Sequence, residues 1–163
     1  MRRALTPILL SLALALTVKT GAWASFNISC AGSAWRPELT VDANGRPSAG
    51  GTIVSPRAVG QISIWGGAPG LVWTVCVRQR AAVAGQWPAS VELHVRRTSY
   101  GSGSATNLTD DTNGYRQLGL TDLPLFHGIG DMLGIGVQVM VTGVAPGVPL
   151  RDYASQIIFT VRP

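Results

Sequence analysis

Leu133, Ile135, Val137, Val139 and Val141 place an apolar side chain at every second position, set against Gly134, Gly136, Gln138 and Thr142. Only an extended strand sends alternate residues to opposite faces, so this segment predicts a long strand with one face buried. Val91, Leu93 and Val95 alternate in the same way with Glu92, His94 and Arg96. Near the C-terminus Tyr153, Ile157, Phe159 and Val161 face one way, and Asp152, Gln156, Thr160 and Arg162 the other. Shorter stretches with strand character are Phe26–Cys30, Leu39–Val41, Gln61–Trp65, Leu71–Val77 and Tyr115–Leu120.

Turn formers separate these runs: Asn44-Gly45, the Gly66–Gly70 stretch with its proline, Tyr100–Ser104, Asn113-Gly114 and Ala145-Pro146-Gly147. Each supplies a fixed or positive φ where the chain must reverse. No segment after Ala24 has helical periodicity. About seven short strands with turns at this spacing predict an all-β protein, an Ig-like antiparallel β-sandwich.

The N-terminus is built differently. Arg2-Arg3 precede an apolar run from Ile8 to Val18, and Ala22-Trp23-Ala24 puts small residues two apart before the first strand. A charged head, a short apolar core and such a site are the parts of a secretory signal cleaved after Ala24. The alternative, an uncleaved anchor, is disfavoured because a helical span needs about 20 apolar residues. Residues 1–24 are thus expected to be a signal peptide and residues 25–163 a single exported domain with no membrane span, secreted to the periplasm or cell surface. Cleavage removes three of the 13 Lys+Arg, leaving ten arginines against 8 Asp+Glu, a balance of +2. The ten are scattered, with only Arg78/Arg80 and Arg96/Arg97 close together, so the chain lacks the concentrated basic face that nucleic acid requires.

Candidate chemistry is sparse. Cys30 and Cys76, an even pair in an exported chain, are expected to form one structural disulfide, the alternative being two free buried thiols. Cys30 shares its parity with Phe26 and Ile28, and Cys76 shares a face with Val72 and Thr74. No C-x-x-C supports a redox site, and no histidines lie near enough in sequence to complete a zinc site. His94 falls on the solvent face of its strand and His127 in a loop, neither with an evident carboxylate or nucleophile partner. A G-x-S-x-G elbow is absent. The Asp110–Gly114 run lacks the spacing of a calcium loop and reads as an Asx turn. No catalytic residue, metal or cofactor is therefore expected. Trp65 and Trp73 read as core, leaving Trp35 and Trp87, each near a proline, as candidate ligand contacts.

An early cysteine after a signal, a second cysteine forty to fifty residues on, a run of sandwich strands and an apolar closing strand together resemble bacterial chaperone–usher pilin domains. The similarity is nearest to the spore coat protein U group of secreted pilus proteins. It lies in the last quarter: Val137-Gln-Val-Met-Val-Thr-Gly-Val-Ala-Pro-Gly147, followed by Asp152-Tyr153-Ala-Ser-Gln-Ile-Ile-Phe-Thr-Val161. The resemblance implies a non-enzymatic subunit of a surface fibre, with other pilus subunits and a periplasmic chaperone as partners. It also implies assembly by strand addition beside Tyr153, Ile157, Phe159 and Val161. The chain departs from the pattern in having only Ser25 to Ser29 before Cys30, which suits a strand acceptor at a tip or terminus, and in ending Val161-Arg162-Pro163 without an aromatic residue. The other reading of the same residues is a stand-alone secreted module whose loops around Trp35, Trp87 and Tyr100–Ser104 hold a glycan or protein.

Overall fold

A computed structural model describes residues 10–16, 26–32, 35, 51–80, 89–111, 114–144 and 153–163. Its strands are β1 (Leu10–Leu16), β2 (Asn27–Gly32), β3 (Gly51–Val54), β4 (Gly60–Trp65), β5 (Val72–Gln79) and β6 (Glu92–Arg97). They continue with β7 (Ser102–Gly103), β8 (Thr106–Asp110), β9 (Arg116–Gln117), β10 (Leu123–Ile129), β11 (Met132–Val144) and β12 (Tyr153–Arg162). There is no helix among the described residues. One sheet runs β1-β12-β5-β10-β8 and the other β2-β4-β11-β6-β9, with β3 and β7 also paired to β11. Every pair is antiparallel except β1 with β12.

Period-two patterning builds the interior. Ile62 and Ile64 of β4, Leu93 and Val95 of β6, and Ile135 to Val141 at alternate positions of β11 enter the core from one sheet. Trp73, Val75 and Val77 of β5, Leu125 and Phe126 of β10, and Ile157 and Phe159 of β12 enter it from the other. Two antiparallel sheets that share one apolar core have the layering of a β-sandwich. Trp73 and Phe126 meet edge to face with ring centroids 6.2 Å apart, and the indole N–H of Trp73 donates to the Gly130 carbonyl at 2.7 Å. Its one polar atom is thereby satisfied, which lets so large a ring be buried without loss.

β11 keeps its apolar face inward over 13 residues only by breaking its own period twice. Between Met132↔Ile64 and Ile135↔Ile62 it advances three positions while β4 advances two, and Gly134 takes φ +67° there. Between Val141↔Ile53 and Val144↔Gly51 the same happens against β3, with Gly143 at φ +75°. Each bulge reverses the parity of the residues beyond it. The buried residue at the start of the strand is accordingly Met132, whereas Leu133, expected inward, is 50% exposed.

Other expectations are also corrected. Pro124↔Cys76 is followed by Phe126↔Val75, so Leu125 is an extra residue, and both Leu125 and Phe126 are buried. This bulge hides β10 from an alternation test. The expected Tyr115–Leu120 strand shrinks to the two residues of β9. Trp65, expected in the core, lies on the outer parity of β4 and is 39% exposed. Leu39–Val41, Asn44-Gly45 and Ala145–Gly147 lie outside the described residues.

A polar clamp joins the two sheets at one end. Arg97 of β6, its side chain only 7% exposed, donates from Nε and Nη2 to the two carboxylate oxygens of Asp110 at 2.6 and 2.9 Å. The guanidinium also lies 4.4 Å from the Tyr100 ring centroid. The fork geometry satisfies a nearly buried charge that would otherwise be costly.

The second bulge is the sharpest steric constraint in this scaffold. A Cβ on Gly143 would fall on the Ser90 carbonyl oxygen, while one on Gly70, at φ +81°, meets nothing. Gly143→Ala is expected to cost about 3 kcal/mol, from left-handed strain and overpacking together, against about 1 kcal/mol for Gly70→Ala. Urea unfolding of the two variants checks the difference, and equal costs would contradict it.

Candidate functional site

β12 is the strand on which the candidate site is built. Along one side it pairs with β5, from Ile157↔Gln79 to Arg162↔Thr74. Along the other it pairs in parallel with β1, through seven consecutive positions from Leu10↔Tyr153 to Leu16↔Phe159. β12 is therefore an interior strand only through β1, a segment of the stretch that reads as an export signal. With β1 absent, β12 would end the sheet and present its unpaired N–H and C=O groups along that side.

Strand and packing together place the expected site residues. Ile157 and Phe159 are fully buried in the core, and Val161 is half-buried against it. Tyr153 opens the strand opposite Leu10. Between them Ser155 is a buried polar position, whose hydroxyl accepts a 2.8 Å hydrogen bond from Gln79 Nε2. The inner face of the edge is thus apolar over Ile157 to Val161 and polar at Ser155. Ile158, expected on an open outer face, is instead 5% exposed, with Arg78 of β5 and Ala15 of β1 as its register neighbours.

Parity also decides the cysteines. Cys30 lies on β2 with Ile28, on the parity of the preceding Phe26, and packs against the core. Val75 and Val77 point into the core from β5, so Cys76 between them points out of the opposite sheet. The two thiols leave different sheets in directions that do not converge, and both are free, so the expected disulfide is not formed. Above Cys76 lies a charged group: Asp122 pairs with Arg78 Nε at 3.1 Å and with Arg162. Burial pushes the Cys76 thiol up, an effect that nearby Arg162 partly opposes.

The histidines are better partnered than expected. His127 sits within β10, where Nδ1 lies 2.9 Å from Asp111 Oδ1. His94 Nε2 lies 3.3 Å from Glu92 Oε2 and 3.1 Å from Thr142 Oγ1. Neither set makes a nucleophile relay. Among the described residues no hydroxyl or thiol is hydrogen-bonded to His127, and in the second cluster carboxylate and hydroxyl share one ring nitrogen, whereas a triad needs one at each. No group of three or more potential metal-ligating side chains converges among the described residues.

Of the candidate ligand contacts, Trp35 is half-buried and packs against the core. Trp87 lies outside the described residues. Among those residues, no helix is long and apolar enough to cross a membrane. β1 is the element that length and flanks conceal: Leu10-Ser-Leu-Ala-Leu-Ala-Leu16 carries period two as well as continuous hydrophobicity, and the alternating leucines are the signal that finds it. No family model and no curated protein matches the chain.

Burial pushes the Cys30 thiol from 9.0 up to about 12. Its folded pKa lies above its unfolded one, so the stabilisation associated with it is full below pH 9 and is lost as pH rises toward 12. Cys30 is expected to resist iodoacetamide at pH 8 in the folded protein and to react readily once unfolded, with no reductant needed. Alkylation followed by peptide mass mapping reads this directly, and a Cys30 that reacts only after reduction would restore the bridge.

Proposed function

We propose that this chain is a non-enzymatic subunit of a bacterial surface fibre, an exported Ig-like sandwich that accepts a strand from a neighbouring molecule along β12. The observation that carries this reading is the pairing of β12 with β1. The closing strand of one sheet is completed by residues that an export peptidase would remove. A processed chain would keep Ile157, Phe159 and Val161 beside an unpaired backbone edge, the combination that strand addition uses. The resemblance of the C-terminal quarter to spore coat protein U and related pilins supports the same function and supplies the class of partner: other fibre subunits, with a chaperone before assembly. The export signal reading supports a periplasmic or cell-surface location.

The chain processed after Ala24 tests this. A lysine-flanked peptide with the sequence of residues 10–16, supplied at a hundred times its dissociation constant, should stabilise it by about 2.7 kcal/mol. That stabilisation corresponds to a rise in melting temperature of roughly 10 °C. The same peptide with Asp at alternate leucine positions should leave the melting temperature unchanged. A well-folded monomer indifferent to every added strand would defeat the fibre reading and favour the stand-alone binding module.

A further inference from the structure

Leu10–Leu16 meets two requirements at once: the continuous hydrophobicity of a signal core and the alternation of a sheet strand. The register sets Leu12, Leu14 and Leu16 opposite Ser155, Ile157 and Phe159, buried positions on the inward parity of β12. Alternation is not needed by a signal, whose apolar core is recognised as a helix or an undifferentiated run. It is needed by a strand beside a half-buried edge. Nine residues, 17–25, separate β1 from Phe26 at the start of the next described segment. Nine extended residues reach about 30 Å, about three times the roughly 10 Å between packed sheets, a reach compatible with one molecule supplying both strands.

We propose that Leu10–Leu16 is an intramolecular cap: while residues 1–24 remain attached, β1 holds the strand-accepting edge of β12 closed, and their removal opens it. The proposal rests on the reading of β12 as a strand acceptor and adds its regulation. A tethered strand competes at an effective concentration in the millimolar range, so a free strand at micromolar concentration is outcompeted by roughly a thousandfold. Cutting the tether abolishes that advantage. The bond that breaks is the Ala24–Ser25 amide, hydrolysed by water in an export peptidase to a carboxylate on Ala24 and an amine on Ser25. Released β1 becomes one dilute competitor among others. The edge thereby becomes available only after export, where other subunits are present, and stays shielded from aggregation beforehand.

The test uses the full chain with a site-specific protease sequence replacing residues 19–24. Uptake of the fluorescent, lysine-flanked peptide of residues 10–16 is followed by anisotropy before and after cutting, with circular dichroism confirming the fold. The expected result is at least a tenfold gain in peptide affinity on cutting. Leu14→Asp, and separately Ala13→Pro, which removes a backbone donor without adding charge, should give the same gain in the uncut chain. Equal uptake by cut and uncut chains, with neither variant improving it, overturns the cap while leaving strand acceptance intact. An uncut chain that runs as a dimer exchanging β1 between copies overturns the intramolecular form. Absence of uptake by the cut chain and both variants defeats the acceptor reading itself, and the cap with it.

Discussion

Backbone hydrogen bonding along β12 is the constraint on which the rest of this structure turns. A strand with Ile157 and Phe159 buried on its inner face cannot leave a flank of N–H and C=O groups unpaired without cost or consequence. β5 satisfies one flank and β1 the other. The proposed function depends on the second pairing being made by a segment that also reads as a cleavable export signal. Under that proposal, β12 is paired on both sides in the full-length chain and would be paired on one side only in a chain processed after Ala24.

Away from that edge the two sheets are held by features that do not depend on β1. The Arg97–Asp110 clamp joins β6 to β8 across the sandwich. On the outer side of the other sheet, buried Gln138 accepts from Arg96 Nε and Nη2 at 2.9 and 2.8 Å and donates to the Ser55 carbonyl at 2.7 Å. Ser55 in turn accepts from the Val139 amide through its hydroxyl and donates its own amide to the Val139 carbonyl, each at 2.9 Å. This network fixes the chain after β3 against the middle of β11 and leaves none of these buried polar groups without a partner. Loss of one edge strand therefore leaves the Trp73, Phe126 and β11 interior anchored.

Strands with an unbroken period are legible in the sequence: β6, the middle of β11, and β12 with Ile157 and Phe159 inward. Elements that interrupt their own period are not. β10 carries Pro124 and a bulge that turns two consecutive residues, Leu125 and Phe126, into the core. In β11 the glycine bulges exchange the roles of Met132 and Leu133. Cys76 shows a subtler limit: its parity with Val72 and Thr74 is legible, but only the burial of Trp73, Val75 and Val77 reveals which parity faces inward. The apolar run at the N-terminus has the length and flanks of a membrane-directed segment, and these mask the alternation that makes it a strand. Candidate ligand residues are the least legible, because one tryptophan near a proline looks the same whether its ring packs inward, as Trp35 does, or outward.

The seven-residue parallel register between β1 and β12 also has a mechanical meaning. A strand seated there and pulled along its own axis loads all of its backbone bonds together, so the joint resists in shear instead of opening one bond at a time from an end. Tension passing through such a joint would be borne by the ladder between the two strands. In a filament made of these units, tensile strength would scale with the number of paired positions. Shortening the inserted strand would weaken the thread even where the domains remained fully folded.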